Sequence, residues 1–341
     1  MKRLICILIC YVSLVCVGQE SLLTKKIVYP VRLTENLVLS SDKKDSIAYN
    51  YIVNKRFFWE AIDDLLNKAK NKKLFLTTFE GDTIVWDTMI NDLVKQLNKI
   101  DNNKYSTKNI DKVFENEIRA IKFMEEWTWN TKTMQIDKKI IAYCPIIQRD
   151  SVHFVEEMSL VNDNSLLSQK AFEYEIGWIR QNNNQKTQDT LLITRNIQYT
   201  MPIYNPKPYH WWESNLEAEY SIPFFERLIS KTDSREILCY ESPDIPNAFT
   251  LPELEKRKKH SVSTTIYTVD NNQNEIEKDT IINLTYNSDD IDYLRFGEEI
   301  IYDKGNNNFY KQVNYYAPVT RIFTSGGTFV GFYPLFYIRK D

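Results

Sequence analysis

The strongest constraint on this chain is a stretch of its sequence that occurs twice. Shifted by 173 residues, "IRAIKFMEEWTWNTKTMQIDKKIIAYCPI" (Ile118 to Ile146) lies over "IDYLRFGEEIIYDKGNNNFYKQVNYYAPV" (Ile291 to Val319) without a gap. Ile118, Phe123, Glu125, Glu126, Lys138, Tyr143 and Pro145 meet identical residues at Ile291, Phe296, Glu298, Glu299, Lys311, Tyr316 and Pro318. Trp129 meets Tyr302, Asn130 meets Asp303 and Ile140 meets Val313. Both copies place β-branched and aromatic residues around a short polar turn, the pattern of a hairpin. The helices before them match more loosely, "FFWEAI" at Phe57 against "FFERLI" at Phe224, so an insertion or deletion intervenes. The simplest account is two copies of a helix–strand–hairpin unit; chance likeness between two amphipathic hairpins is the alternative.

The rest of the chain fits an α+β fold of mixed helices and antiparallel β-hairpins. "MKRLICILICYVSLVCVGQE" has a cationic start and an apolar run too short to span a bilayer, the shape of a signal peptide over residues 1–18. Lipid attachment at Cys16 is a competing reading, weakened because Val15 stands where a small residue is needed. A polar leader is expected over 19–49 and a first α+β unit over 50–200. In that unit "KRFFWEAIDDLLNKAKNKK" and "IVWDTMINDLVKQLNKI" carry helical spacing, with "KLFLTTF" a short strand between them. Strands are expected over Ile118–Thr128, Gln135–Cys144, Ser151–Leu160, Ala171–Arg180 and Asp189–Tyr199. Pro202, Pro206 and Pro208 make residues 201–215 a connector. The second unit, 216–341, opens with "IPFFERLISK", Pro223 in its first turn, then a strand at "REILCYE", a charged helix near Leu251–Lys259 and hairpins.

Several function classes are excluded by what the loops lack. The 8 glycines form no GxGxxG, GxxxxGK[ST] or GxSxG, so nucleotide-dependent and α/β-hydrolase chemistry have no backbone to stand on. A net charge of −3 argues against nucleic acid or an anionic membrane as partner, and "LEKRKKH" reads as a solvated helix face. His153, His210 and His260 form no metal-binding spacing, so no metal or cofactor is expected. Cys144 and Cys239 are read as two separately buried thiols rather than a bridge.

Two clusters could carry chemistry. The Glu125–Glu126 pair, echoed at Glu298–Glu299 beside Trp127 and Trp129, suggests a glycoside-cleaving site. Adjacent strand residues face opposite ways, so neither pair can act on one bond, and only a carboxylate pair drawn from both copies is conceivable. Trp127 is Ile300 in the second copy, as befits a packing position. "PYHWWESN" gathers Tyr209, His210, Trp211 and Trp212 into a possible aromatic platform for a glycan or protein. Trp127, Trp129, Tyr209, Trp211 and Trp212 are the partner-binding candidates, and no catalytic residue is assigned.

In order, these pieces resemble the GldN/PorN family of gliding motility and type IX secretion. The resemblance is carried by "FFWEAIDDLLNKAKNKKLFL", by "IKFMEEWTWNTKTMQIDKKIIAYCPI", and more loosely by "FFERLISKTDSREILCYESPDIPN". It covers about Asn50 to Phe249, and the region after His260 departs from the family pattern. It implies a periplasmic, non-enzymatic scaffold subunit of the secretion and gliding machinery. Such a subunit contacts a ring-forming outer-membrane lipoprotein and other components, touches the membrane only through them, and has no catalytic residues. The alternative is a secreted glycan-binding module or retaining glycoside hydrolase.

Overall fold

The computed structural model describes residues 20–32, 55–100, 104–149, 172–182, 184–203, 216–269, 275–323 and 329–340. In chain order it runs β1 (Glu20–Arg32), α1 (Lys55–Lys70), β2 (Leu76–Thr77), β3 (Thr83–Ile84), α2 (Trp86–Ile100) and α3 (Ile110–Glu117). Then come β4 (Ile118–Asn130), β5 (Ile136–Arg149), β6 (Phe172–Glu175), β7 (Ile179–Arg180) and β8 (Thr190–Pro202). The remainder is α4 (Ala218–Asp233), α5 (Leu251–Lys258), β9 (Lys259–Val269), β10 (Glu275–Thr285), β11 (Tyr293–Asp303), β12 (Asn308–Phe323), β13 (Phe329–Pro334) and β14 (Ile338–Arg339). The fold is α+β with antiparallel sheets, as the sequence pattern indicates.

Two sheets of the same topology carry the duplication. One is ordered β1-β4-β5-β6 with β7 on β5; the other is β8-β11-β12-β13 with β14 on β12. Their irregularities coincide as well. In β5 the ladder skips Ile141, between Met124↔Ala142 and Glu125↔Ile140; in β12 it skips Asn314, between Gly297↔Tyr315 and Glu298↔Val313. This extra residue shifts the alternation by one. It brings Lys138 and Tyr143, an odd number apart, onto one face of β5, and Lys311 and Tyr316 onto one face of β12. Each hairpin turn also repeats its geometry. Asn130 Oδ1 accepts from the N–H groups of Lys132 and Thr133, and Asp303 Oδ1 from those of Gly305 and Asn306. Met134 and Asn307 then take left-handed φ values of 60° and 57°.

The helices pack crosswise, α1 against β8 and α4 against β1. Phe58, Ala61, Ile62, Leu65 and Ala69 bury one face of α1; Ser221, Phe224, Phe225, Leu228 and Thr232 bury the matching face of α4. Both end in the same left-handed cap. Lys72 and Arg235 have φ of 59° and 58°, and the N–H groups of Lys73 and Glu236 bond to the carbonyls of Lys68 and Lys231. The helical correspondence is therefore 163 residues, and the Phe57/Phe224 match lies one turn out of register.

The structure corrects four further readings. Glu20–Arg32 is not polar leader but the edge strand of the first sheet, with Leu23, Ile27, Val28, Tyr29 and Val31 buried. Strand β8 precedes the Pro-rich connector yet hydrogen-bonds to β11, in the second half's sheet. Pro223 lies inside α4, which starts at Ala218, because Glu217 caps it more than a turn earlier with its carbonyl accepting from Tyr220 and Ser221. "REILCYE" forms only a bridge, Tyr240 pairing with Ala248 and Tyr337. The expected signal peptide, the strand at Ser151–Leu160, His153, Cys16, and Tyr209, His210, Trp211 and Trp212 lie outside the described residues.

Candidate functional site

The groups with the most chemical potential meet where the two sheets face each other. Alternation from Phe123 puts Glu125, Trp127 and Trp129 on the inner face of β4; Phe296, Glu298, Ile300 and Tyr302 occupy that face of β11. Lys138 and Lys311 enter from the return strands, Tyr29 and Tyr199 from the edge strands. The side chains of Glu125, Glu298, Lys138 and Lys311 are 0% exposed.

Pairing runs across the halves. Lys138 Nζ lies 2.6 Å from Glu298 Oε1, and Lys311 Nζ lies 2.9 Å from Glu125 Oε1 and 3.7 Å from Glu298 Oε2. Each Oε1 meets its ammonium as a charge contact, while each Oε2 takes the aligned hydrogen bonds. Tyr29 donates to Glu125 Oε2 at 2.6 Å and Tyr199 to Glu298 Oε2 at 2.7 Å, leaving the phenolic oxygens 2.9 Å apart. Those oxygens in turn accept from the opposite lysines, Lys138 to Tyr199 at 2.9 Å and Lys311 to Tyr29 at 3.0 Å. Each ammonium also sits over the other half's phenylalanine, Lys138 3.2 Å from the Phe296 ring centre and Lys311 3.7 Å from that of Phe123. One asymmetry remains: Trp127 Nε1–H donates to Glu125 Oε2 at 2.7 Å, and Ile300 offers no counterpart.

The electrostatics suit a closed network. Burial opposes the Glu125 charge, yet Lys311 and Lys138 outweigh it and hold the carboxyl below its ordinary value. Burial pulls Lys138 down to about 8 against the pull of Glu298 and Glu125. Desolvation, then the neighbouring carboxylates, push Tyr29 and Tyr199 well above the usual phenol range. The set is two cations, two anions and two neutral phenols, without solvent access. The cross-copy carboxylates are thus closed off from solvent and each matched by an ammonium group, an internal lock between the halves. Among the described residues no cluster of His, Cys, Asp and Glu could hold a metal.

A second crossed contact secures the turns. Tyr143 donates to Asn307 O and Tyr316 to Met134 O, both at 2.6 Å, so each half's tyrosine ties down the left-handed turn residue of the other. The identities at Phe123, Glu125, Lys138 and Tyr143 with Phe296, Glu298, Lys311 and Tyr316 are thus cross-half contacts.

The tryptophan candidates fare otherwise. Trp127 is wholly buried in the lock, and Trp129 is buried against Phe224 at 5.3 Å between ring centres. Trp127 presents no face to a partner, because inward alternation carries it into the core, and Trp129 reaches the surface only where it lines a shallow groove beside α4. In the basic stretch Lys258 pairs with Asp233 at 2.6 Å and Arg257 stacks over Tyr333, while Lys256 and Lys259 stay exposed, as a solvated face requires. Cys144 and Cys239 are separate buried thiols.

Sequence reasoning missed Tyr29 and Tyr199, although "LLTKKIVY" (Leu22–Tyr29) and "LITRNIQY" (Leu192–Tyr199) share Leu, Thr, Ile and Tyr at the same spacing. It also missed "YEIGWIR" against "YPLFYIR" (Tyr174–Arg180 and Tyr333–Arg339). Ile176 and Leu335 there bond through their N–H groups to the carbonyls of the paired prolines, Pro145 and Pro318.

Where the halves differ, a shallow groove opens beside α4, lined by Trp129, Thr131, Pro223, Glu226, Arg227 and neighbouring serines. The corresponding place in the other half is filled. Lys304, the counterpart of Thr131, pairs with Glu60, the counterpart of Pro223. Tyr302, the counterpart of Trp129, donates to Asp64 at 2.8 Å. Arg227 stands where Asp64 would be, and the buried indole N–H of Trp129 has no acceptor among the described residues. No family model matches the chain, and no curated protein matches its sequence.

Proposed function

We propose that this protein is a non-enzymatic assembly subunit of the type IX secretion and gliding machinery, exported to the periplasm and acting by contact with a ring-forming outer-membrane lipoprotein. The observation that carries the reading is the ordered resemblance to the GldN/PorN family, most specific over Phe57–Leu76 and Ile121–Pro145. Two structural facts support a scaffold. The carboxylates that would serve hydrolysis are consumed in a sealed internal lock. Phe75 and Leu238, at equivalent positions after α1 and α4, stand in solvent and offer apolar contact points in both halves. No helix among the described residues is long and apolar enough to cross a membrane, which agrees with attachment through partners.

The test is cross-linking mass spectrometry on intact envelopes of cells carrying the full chain. The expected result is a set of cross-links from Phe75- and Leu238-proximal lysines, such as Lys73, to an outer-membrane lipoprotein in a large complex. A chain that remains monomeric and cross-links to nothing in the envelope overturns the reading.

A further inference from the structure

We propose that the groove beside α4 is a docking site for an acidic side chain of a partner polypeptide, whose carboxylate accepts from Trp129 Nε1–H and pairs with Arg227. The inference stands on the internal duplication and does not depend on which machine the protein joins. One half of the molecule shows how this place is completed when the protein completes it itself. There the aromatic at position 302 donates to the carboxylate of Asp64, Lys68 closes on the same carboxylate at 2.7 Å, and the Lys304–Glu60 pair spans the remaining space.

In the other half three of the four completing groups are replaced, and the fourth, Lys68, persists as Lys231 but pairs with Glu236 instead. Arg227 takes the place of Asp64, so the acceptor is gone and a cation has entered. Thr131 and Pro223 take the places of Lys304 and Glu60, so the spanning pair is gone and the groove is open. What persists is the donor: Trp129 is 5% exposed, and its buried N–H has no hydrogen-bond partner among the described residues. A buried donor without an acceptor is unfavourable, and an acceptor brought from outside relieves it. Indole N–H and guanidinium together select a carboxylate, since both donate and neither accepts. Glu226 on the same wall leaves the groove with no net charge and disfavours polyanions, so one isolated acidic side chain fits better than nucleic acid or an anionic lipid surface.

The experiment uses the full mature chain with ¹⁵N-labelled tryptophan, the Trp129 indole signal being assigned by its loss in Trp129→Phe. The probe is the capped peptide Ac-Ala-Ala-Glu-Ala-Ala-NH2, with Gln and Lys versions as controls and succinate as the free-acid control. Expected is a saturable shift of the Trp129 signal with the Glu peptide alone, weakened about tenfold in Arg227→Ala, the size of one charge-assisted hydrogen bond. The double variant Thr131→Lys/Pro223→Glu carries the other half's residues and should close the groove and abolish the shift. The Trp127 and Trp178 indole signals, buried elsewhere, report that each variant is folded. The proposal is overturned by no shift with the Glu peptide, by an equal shift with the Gln or Lys peptide, or by binding that survives the closing variant. Succinate binding as tightly as the peptide would replace the polypeptide occupant with a free small acid.

Discussion

Lys138→Met tests whether the internal lock is read correctly. The variant keeps the side chain's length and removes its charge. It deletes the 2.6 Å contact to Glu298, the 2.9 Å donation to Tyr199 and the placement over Phe296. Glu298 would keep Tyr199 at 2.7 Å and Lys311 at 3.7 Å, too far to replace what was lost. Stripping one partner from a buried ion pair costs about 3–5 kcal/mol, and the surviving contacts place this case at the lower end, about 3 kcal/mol. The double variant Lys138→Met/Glu298→Met removes both charges and leaves Lys311 on Glu125 at 2.9 Å. Apolar replacement of a whole buried pair is close to neutral, so the double variant should lie within about 1 kcal/mol of the parent. Urea unfolding at neutral pH measures both single variants, Lys138→Met and Glu298→Met, and the double variant, with the slope checked for constancy. A single-variant loss below about 1 kcal/mol, or losses that simply add in the double variant, refutes the lock.

The same variant gives a pH test. The folded pKa of Lys138 near 8 lies below its ordinary 10.5, so the unfolded state binds that proton more tightly and stability from this group rises with pH above 8. The deficit of Lys138→Met relative to the parent should therefore widen rather than narrow as the pH rises from 7 to 9, read from urea unfolding of both proteins. On the outer face of the second sheet, a Cβ on Gly297 would sit 2.0 Å from the Tyr315 ring, so Gly297→Met should prevent stable folding. Adding Tyr315→Ala recreates the Met124–Ala142 pair of the first half and should restore a cooperative thermal transition. Burial pushes the Cys144 thiol well above its usual value and Cys239 up to about 12, so neither should react with an aromatic disulfide reagent at pH 8 until urea unfolds the chain.

The duplication was legible because its most repeated residues are polar or aromatic and sit at fixed spacing, and that spacing already implied two hairpins. Opposite facing of Glu125 and Glu126 was legible too, from strand geometry alone. Which way each faced was not. On the return strands β5 and β12 the bulge at Ile141 and Asn314 resets the alternation that sets which way Lys138 and Lys311 face, and no residue there signals it. The edge strands were hidden for a different reason. Lys25 and Lys26 interrupt β1 with two exposed charges where its ladder to β4 slips, so its apolar residues lose strict alternation. Only comparison with Leu192–Tyr199, where the ladder slips at the corresponding residues, exposes the strand. The orphan indole of Trp129 could not be read at all, since its missing acceptor is a contact between distant segments.

The distribution of identity between the halves follows from what each position must do. A residue paired with its own counterpart's neighbour cannot change alone, because a buried Glu without its Lys is an uncompensated charge. Glu125 with Lys311 and Glu298 with Lys138 are such pairs, and Tyr143 and Tyr316 each hold the other half's turn. Away from the pseudo-two-fold axis, a change in one half leaves the other untouched, and compensation can be local. Met124 with Ala142 becomes Gly297 with Tyr315, a trade of volume across one rung. Glu60 with Lys304 becomes Pro223 with Thr131, a trade without compensation, and that is where the groove opens. Symmetry is thus kept where the halves must recognise each other, and the surface free to meet other molecules is where it breaks.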